Sequence, residues 1–130
     1  MPKVTPFRCI RPIPELASHI AALPYDVYTR QEAAREIQQE PHSFLQIDRA
    51  ETQFPDSVDT YDDRVYQKAR ELLETRIRDG HLIQDETPCF YIYELTMDGR
   101  SQTGIVGCSS IDDYLAGTIR KHENTREEKE

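Results

Sequence analysis

The sequence has no tryptophan, only five glycines and two methionines in 130 residues, and just three cysteines. Seven tyrosines and four phenylalanines must therefore supply the large pieces of any core. No stretch approaches the ~18–20 consecutive apolar residues of a membrane span. The first residues, MPKVTPFRCIRP, lack the apolar heart of a signal peptide. A cytoplasmic protein is the expectation. Cys9, Cys89 and Cys108 are odd in number and widely separated, with no CxxC or Cys/His ligand spacing. That pattern excludes a disulfide scaffold and a zinc site and fits idle thiols in a reducing compartment.

Positive charge is also scarce. Sixteen Lys and Arg face twenty-four Asp and Glu, a net charge of −8. Nucleic-acid binding needs basic side chains to replace phosphate counterions, so DNA or RNA is not the expected partner. A small anionic ligand is not excluded, since it needs only a local nest of donors.

What is present is patterned. The length suits one domain, and residues 1–130 are read as a single domain. VTPFRCIRPI suggests a short strand at 7–11, and PELASHIAAL a helical segment carrying Leu16, Ile20 and Leu23. TRQEAAREIQQEP opens with Thr29 and places Glu32 three residues on, a capping box that starts a helix ended by Pro41. SFLQIDRAE is read as a strand through Phe44, Leu45 and Ile47. In TYDDRVYQKARELLETRIRDG, Val65, Ala69, Leu72, Leu73 and Ile77 line one face of a helix, capped by Thr60 or Asp62 and left through Gly80. PCFYIYELTMDGRSQTGIVGCSS is a hairpin turning at Asp98-Gly99, with a bulge or close backbone approach expected at Gly104 and Gly107. Ser110 caps a last short helical turn ending at Gly117, and Thr118–Lys121 is β-like. The predicted class is α/β (α+β): a mixed sheet of about four or five strands with about two or three helices. No glycine-rich phosphate loop or βαβ fingerprint occurs.

Several residues carry chemistry that packing does not require. His122-Glu123 lies in TIRKHENTREEKE, thirteen residues with eight formal charges. A solvated tail is the plainer reading of that charge. HExxH zinc chemistry is excluded because position 126 is Arg. Asp26 in Pro24-Tyr25-Asp26 sits in a turn where two elements meet; bonding nearby backbone N–H groups is the plainer use of such a residue. Asp79-Gly80-His81 is accounted for by the helix exit and the C-terminal dipole. Tyr91 and Tyr93 share a face of one hairpin arm, where sheet packing is commoner than base stacking.

Taken in order, PFRCIRP, LPYDV, RDGHLIQDETPCFYIYEL and TGIVGCSSIDDYLAGTIRKHENTREEKE resemble the N-terminal part of the family called domain of unknown function 1015. The Pro-Tyr-Asp-Val turn, the aromatic strand and the His-Glu-x-Thr segment all match. That family also carries a later Asp-Gly-His-His-Arg motif that this sequence lacks, so the resemblance implies the N-terminal fragment of a longer protein. More distantly, the family is similar to the ParB/sulfiredoxin-like fold, which includes nucleotide-dependent small-molecule kinases such as free-serine kinase. That likeness implies phosphoryl transfer from ATP, ADP or CTP with magnesium to a small hydroxyl-bearing substrate, a reaction that rests on positioning and charge neutralisation. Glu123 or Asp26 would then orient the hydroxyl or hold the metal. His122, Arg120 and Lys121 would meet charge on phosphate oxygens, and Thr125 would donate a hydrogen bond. A second reading is a non-catalytic regulatory module whose acidic surface meets a protein partner. An unpaired sheet edge would favour a homo-oligomer by strand addition.

Overall fold

The computed structural model describes residues 1–119. The chain divides into two compact units: Ile10–Gln84, and Met1–Cys9 together with Asp85–Glu130.

The unit Ile10–Gln84 is mostly helical. Strand β2 (Ile10–Pro12) pairs antiparallel with β3 (Leu82–Gln84) and so joins the two ends of the unit. Between them lie α1 (Ala17–Ile20), α2 (Arg30–Gln39), α3 (Leu45–Asp48) and α4 (Asp63–Arg78). Short 3-10 turns at Pro14–Leu16, Tyr25–Val27 and Ala50–Gln53 connect them. The capping box of α2 is formed as expected: the Glu32 N–H donates to Thr29 Oγ1 at 3.3 Å, and the Thr29 N–H to Glu32 Oε2 at 2.8 Å. Asp62 caps α4 by accepting from the Arg64 N–H, and the Arg64 side chain holds the Asp62 carboxyl down to about 2.

The apolar core is small. Leu45 is fully buried against Ala33 and Ile37, with Tyr28 packed on its margin. Three arginines extend this core by organising the backbone around it. Arg76 is buried in the apolar stripe of α4; it donates to the carbonyls of Pro41, His42 and Ser43 and to Gln46 Oε1. Burial pulls its guanidinium below the ordinary value. Arg30 donates to the carbonyls of Glu51, Phe54, Pro55 and Val58. Arg49 closes the third set, described below. A buried carbonyl left unpaired is costly, and each guanidinium offers five donors in a fixed fork.

These clamps explain the main local correction. Leu45 and Ile47, expected in a strand with Phe44, fold into α3, and Phe44 stands at its N-terminal cap. Arg76 takes the carbonyls entering the segment, Ser43 Oγ accepts from the Leu45 N–H at 3.3 Å, and the Phe44 N–H donates to Ile20 O at 2.8 Å. Short apolar runs do not distinguish strand from helix by period alone.

The other unit is built from strands. β1 (Val4–Thr5) pairs with β6 (Cys108–Ser109), and Phe7 bridges Cys89. β4 (Tyr91–Met97) and β5 (Arg100–Val106) form the predicted hairpin, in register from Tyr91↔Val106 to Met97↔Arg100. Its turn holds Asp98 at φ 51° and Gly99 at φ 74°, the two positive angles that a type I′ turn requires. Gly107 is the close approach: a Cβ there would stand 3.0 Å from both Phe90 and Val4 side-chain atoms. Gly104 faces open space. Helix α5 (Ile111–Leu115) is capped by Ser110, as expected.

The α+β class is thus observed. Among the described residues the strands form three separate two-stranded antiparallel sheets, where one mixed sheet was expected, and α-helices number five. No helix of the described residues is long and apolar enough to cross a membrane.

Candidate functional site

Of the predicted site residues only Asp26 falls among those described. Arg120, Lys121, His122, Glu123 and Thr125 lie outside them. Asp26 occupies the exposed 3-10 turn Tyr25–Val27, which begins after Pro24 as the Val27 N–H donates to Pro24 O at 3.1 Å. Its carboxylate has no hydrogen-bond or ion-pair partner among the described residues, so the plain reading of a turn-stabilising Asp is not what the geometry displays.

The turn is held from below. Arg49 Nη1 donates to Tyr28 O at 2.9 Å and to Tyr25 O at 3.1 Å, bracketing Asp26. Arg49 Nε donates to Glu51 Oε1 at 2.6 Å, and Glu51 is only 1% exposed. An ion pair out of water repays its desolvation only when remaining donors are also satisfied. Here the two carbonyls supply that satisfaction. The pair therefore fixes where the Pro-Tyr-Asp-Val turn stands.

Beside the turn is a cavity of about 570 Å³, walled by Tyr25, by α3 and the 3-10 turn after it, and by Thr60, Tyr61, Val65, Tyr66 and Ala69 of the following loop and α4. Tyr25, Tyr61 and Tyr66 are all largely exposed, with Tyr61 at 80%. Aromatic bodies with a polar tip suit a surface that takes up a ligand, because little side-chain freedom is lost when they are covered. The polar complement is acidic. Asp48 forms part of the wall, and its carboxylate too has no hydrogen-bond or ion-pair partner among the described residues. Desolvation by its neighbours raises its pKa, although the residue remains solvent-accessible. The single cation in the wall, Arg49, is committed to Glu51 and the turn carbonyls. A phosphate would find no ready partner here. Among the described residues no group of three His, Cys, Asp or Glu is placed to hold a metal ion.

The sequence pattern of the family described as "Protein of unknown function (DUF1015)" matches residues 4–130. The chain belongs to that family. The match takes in both units of this DUF1015 chain and the Pro-Tyr-Asp-Val turn. No curated protein and no solved structure matches it.

Arg30, Arg49, Arg76, Asp48, Tyr61 and Tyr66 were not singled out by sequence reasoning. One signal was available: Arg76 falls eleven residues after Val65, on the same helical stripe as Ala69 and Leu72, where a charge must be paired if that face is buried. Asp79-Gly80-His81 forms the exit of α4, with Gly80 at φ 75°. The His81 N–H donates to Arg76 O at 3.0 Å, and its ring meets His42 edge-on at 5.4 Å. Tyr91 is anchored rather than a free stacking surface: its hydroxyl accepts from the Cys9 N–H at 2.9 Å and donates to Asp85 Oδ2 at 2.8 Å.

Proposed function

We propose that the tyrosine-walled cavity binds a small hydroxyl-bearing metabolite and forms the acceptor side of a nucleotide-dependent phosphotransferase. The observation that carries this reading is the unpartnered carboxylate of Asp26 on a turn held by Arg49 and Glu51, one residue from Tyr25, which walls a cavity of metabolite size. A carboxylate with no internal partner is available to accept a hydrogen bond from a substrate hydroxyl and to orient it. Three tyrosines and Thr60 offer further hydroxyl groups and flat apolar surface. The absence of an uncommitted cation in the wall favours an uncharged or cationic acceptor over the nucleotide. The phosphate-gripping roles fall to Arg120, Lys121, His122 and Thr125. The sulfiredoxin-like kinase likeness supports that assignment only as a resemblance.

The test has two parts. Polyols and hydroxy amino acids titrated into the chain are expected to perturb the Tyr61 and Tyr66 resonances, and Tyr66→Ala to weaken that binding at least tenfold. In a phosphoryl-transfer assay with magnesium and ATP, ADP or CTP, Asp26→Asn and Glu123→Gln are each expected to lower turnover more than a hundredfold. Undiminished turnover in Glu123→Gln removes that residue from the mechanism, and silent tyrosines in every titration end the acceptor reading.

A second reading, a module that engages a protein partner, is favoured by one observation. The β4–β5 hairpin exposes Tyr93, Leu95 and Met97 on one face and the cross-strand pair Ile92 and Ile105, 80% and 81% exposed, on the other. If that face docks a partner, Ile92→Asp abolishes the association and leaves metabolite binding intact.

A further inference from the structure

A second cavity, of about 400 Å³, lies on the other flank of α3. Its walls are apolar, with Ile20, Ala21, Phe44, Leu73 and Leu82 among them, and Asp48 contributes the only charged side chain. Asp48 is also the one residue that this cavity shares with the tyrosine-walled one. Asp48 is exposed to water, so its charge is solvated in the open cavity, and a cation seated on these walls could pair with it in place of that water. The volume corresponds to on the order of a dozen water molecules. Their release from apolar walls would favour a ligand with a hydrocarbon body.

We propose that this cavity binds a small monocationic amphiphile, a primary alkyl- or arylamine whose ammonium pairs with Asp48 while its hydrocarbon body covers Ile20, Phe44, Leu73 and Leu82. Anions are disfavoured by Asp48, and polyols gain nothing from the apolar walls. The site shares only Asp48 with the acceptor cavity, and its apolar walls are its own whether or not that cavity takes a hydroxyl-bearing substrate.

Pentylammonium, phenethylammonium and their alcohol counterparts serve as probes on the full chain, followed by amide chemical shifts. Each amine is expected to bind about two- to fivefold more tightly than the matching alcohol, with shifts centred on residues 17–22 and on Leu73. Asp48→Asn removes the charge at nearly constant shape and is expected to erase the preference for the amine. Ala21→Phe, at an exposed position of the wall, fills the cavity and is expected to abolish binding of both probes. Equal affinity for amine and alcohol overturns the proposal, as do shifts centred on Tyr25 and Tyr61 or no shift at millimolar amine. Shifts at Tyr61 and Tyr66 with polyols would leave the acceptor reading standing in any of those cases.

Discussion

The two units of this chain are stabilised in different ways. Every buried residue identified among the described positions, from Ile20 to Leu82, belongs to the unit Ile10–Gln84. The unit of Met1–Cys9 and Asp85–Glu130 has none among those described, and its hairpin exposes apolar side chains on both faces. The first is held by side chains: a small aliphatic core and three guanidinium clamps. The second is held by backbone ladders and a few anchors, chiefly the Tyr91 hydroxyl and the Lys3 N–H that donates to Asp113 Oδ2 at 2.9 Å. Isolated two-stranded sheets are marginal in water. The difference predicts that the two units lose structure separately, the strand-built one first.

The largest effect should come from Glu51→Ala. It leaves the Arg49 guanidinium without its buried counter-charge, a loss of about 3–5 kcal/mol. Urea unfolding followed by helical circular dichroism reads it. Native-state hydrogen exchange then sharpens the comparison: α4 amides lose protection while β4 and β5 amides keep theirs. Equal loss in both units would mean one cooperative body and would end the distinction.

Leu45→Ala is next. It empties a fully buried site packed on Ala33 and Ile37, at about 2–5 kcal/mol with the cavity term included. The same two measurements apply, with the same partition between units.

The converse case is Tyr91→Phe, which removes the hydroxyl bridging Cys9 and Asp85. On the order of tenfold faster exchange is expected in β1, β4 and β5. Unfolding of the helical unit should be unchanged.

The smallest effect has the opposite sign. Desolvation raises the folded-state pKa of Asp48 above 3.8, so the folded chain holds that proton more tightly than the unfolded one. Stability contributed at this position is present at low pH and falls as pH rises through the window just above 3.8. Asp48→Asn should therefore stabilise the protein at neutral pH, by less than about 1 kcal/mol once solvent screening of this accessible group is discounted. Below that window the variant should match the parent. Loss of stability at neutral pH would show that Asp48 has a structural partner and no claim to a ligand role.

Much of the local structure was legible because its causes are local. The Thr29–Glu32 box, the Asp62 cap, the exit at Gly80 and the Asp98-Gly99 turn are each written in a few adjacent residues. What was not legible is tertiary in origin. Nothing within SFLQIDRAE announces that Arg76, far along the chain near the end of α4, will take the carbonyls preceding Leu45. The same holds for Arg49 gripping Tyr25 and Tyr28, which turned an unremarkable Pro-Tyr-Asp turn into the best-supported part of the site. Sequence singled out Asp26 but not Asp48, because the mark of Asp48 is a set of apolar walls drawn from β2, α1, α4 and β3 together with Phe44. The residues placed by resemblance, from Arg120 to Thr125, lie outside the described positions.

The β2–β3 ladder also has a bearing on how the chain comes to fold during synthesis. Ile10 pairs with Gln84, so completing the helical unit brings Cys9 and Asp85 side by side, as the Asp85 N–H donating to Cys9 O at 2.9 Å records. Without that ladder, Val4 would have to find Ser109 across the whole intervening chain. With it, the search is shortened to the residues beyond the ladder, a saving of about 1 kcal/mol in loop-closure entropy. A ribosome delivering this polypeptide therefore hands the N-terminal strand its partner late, but across a gap that has already been closed.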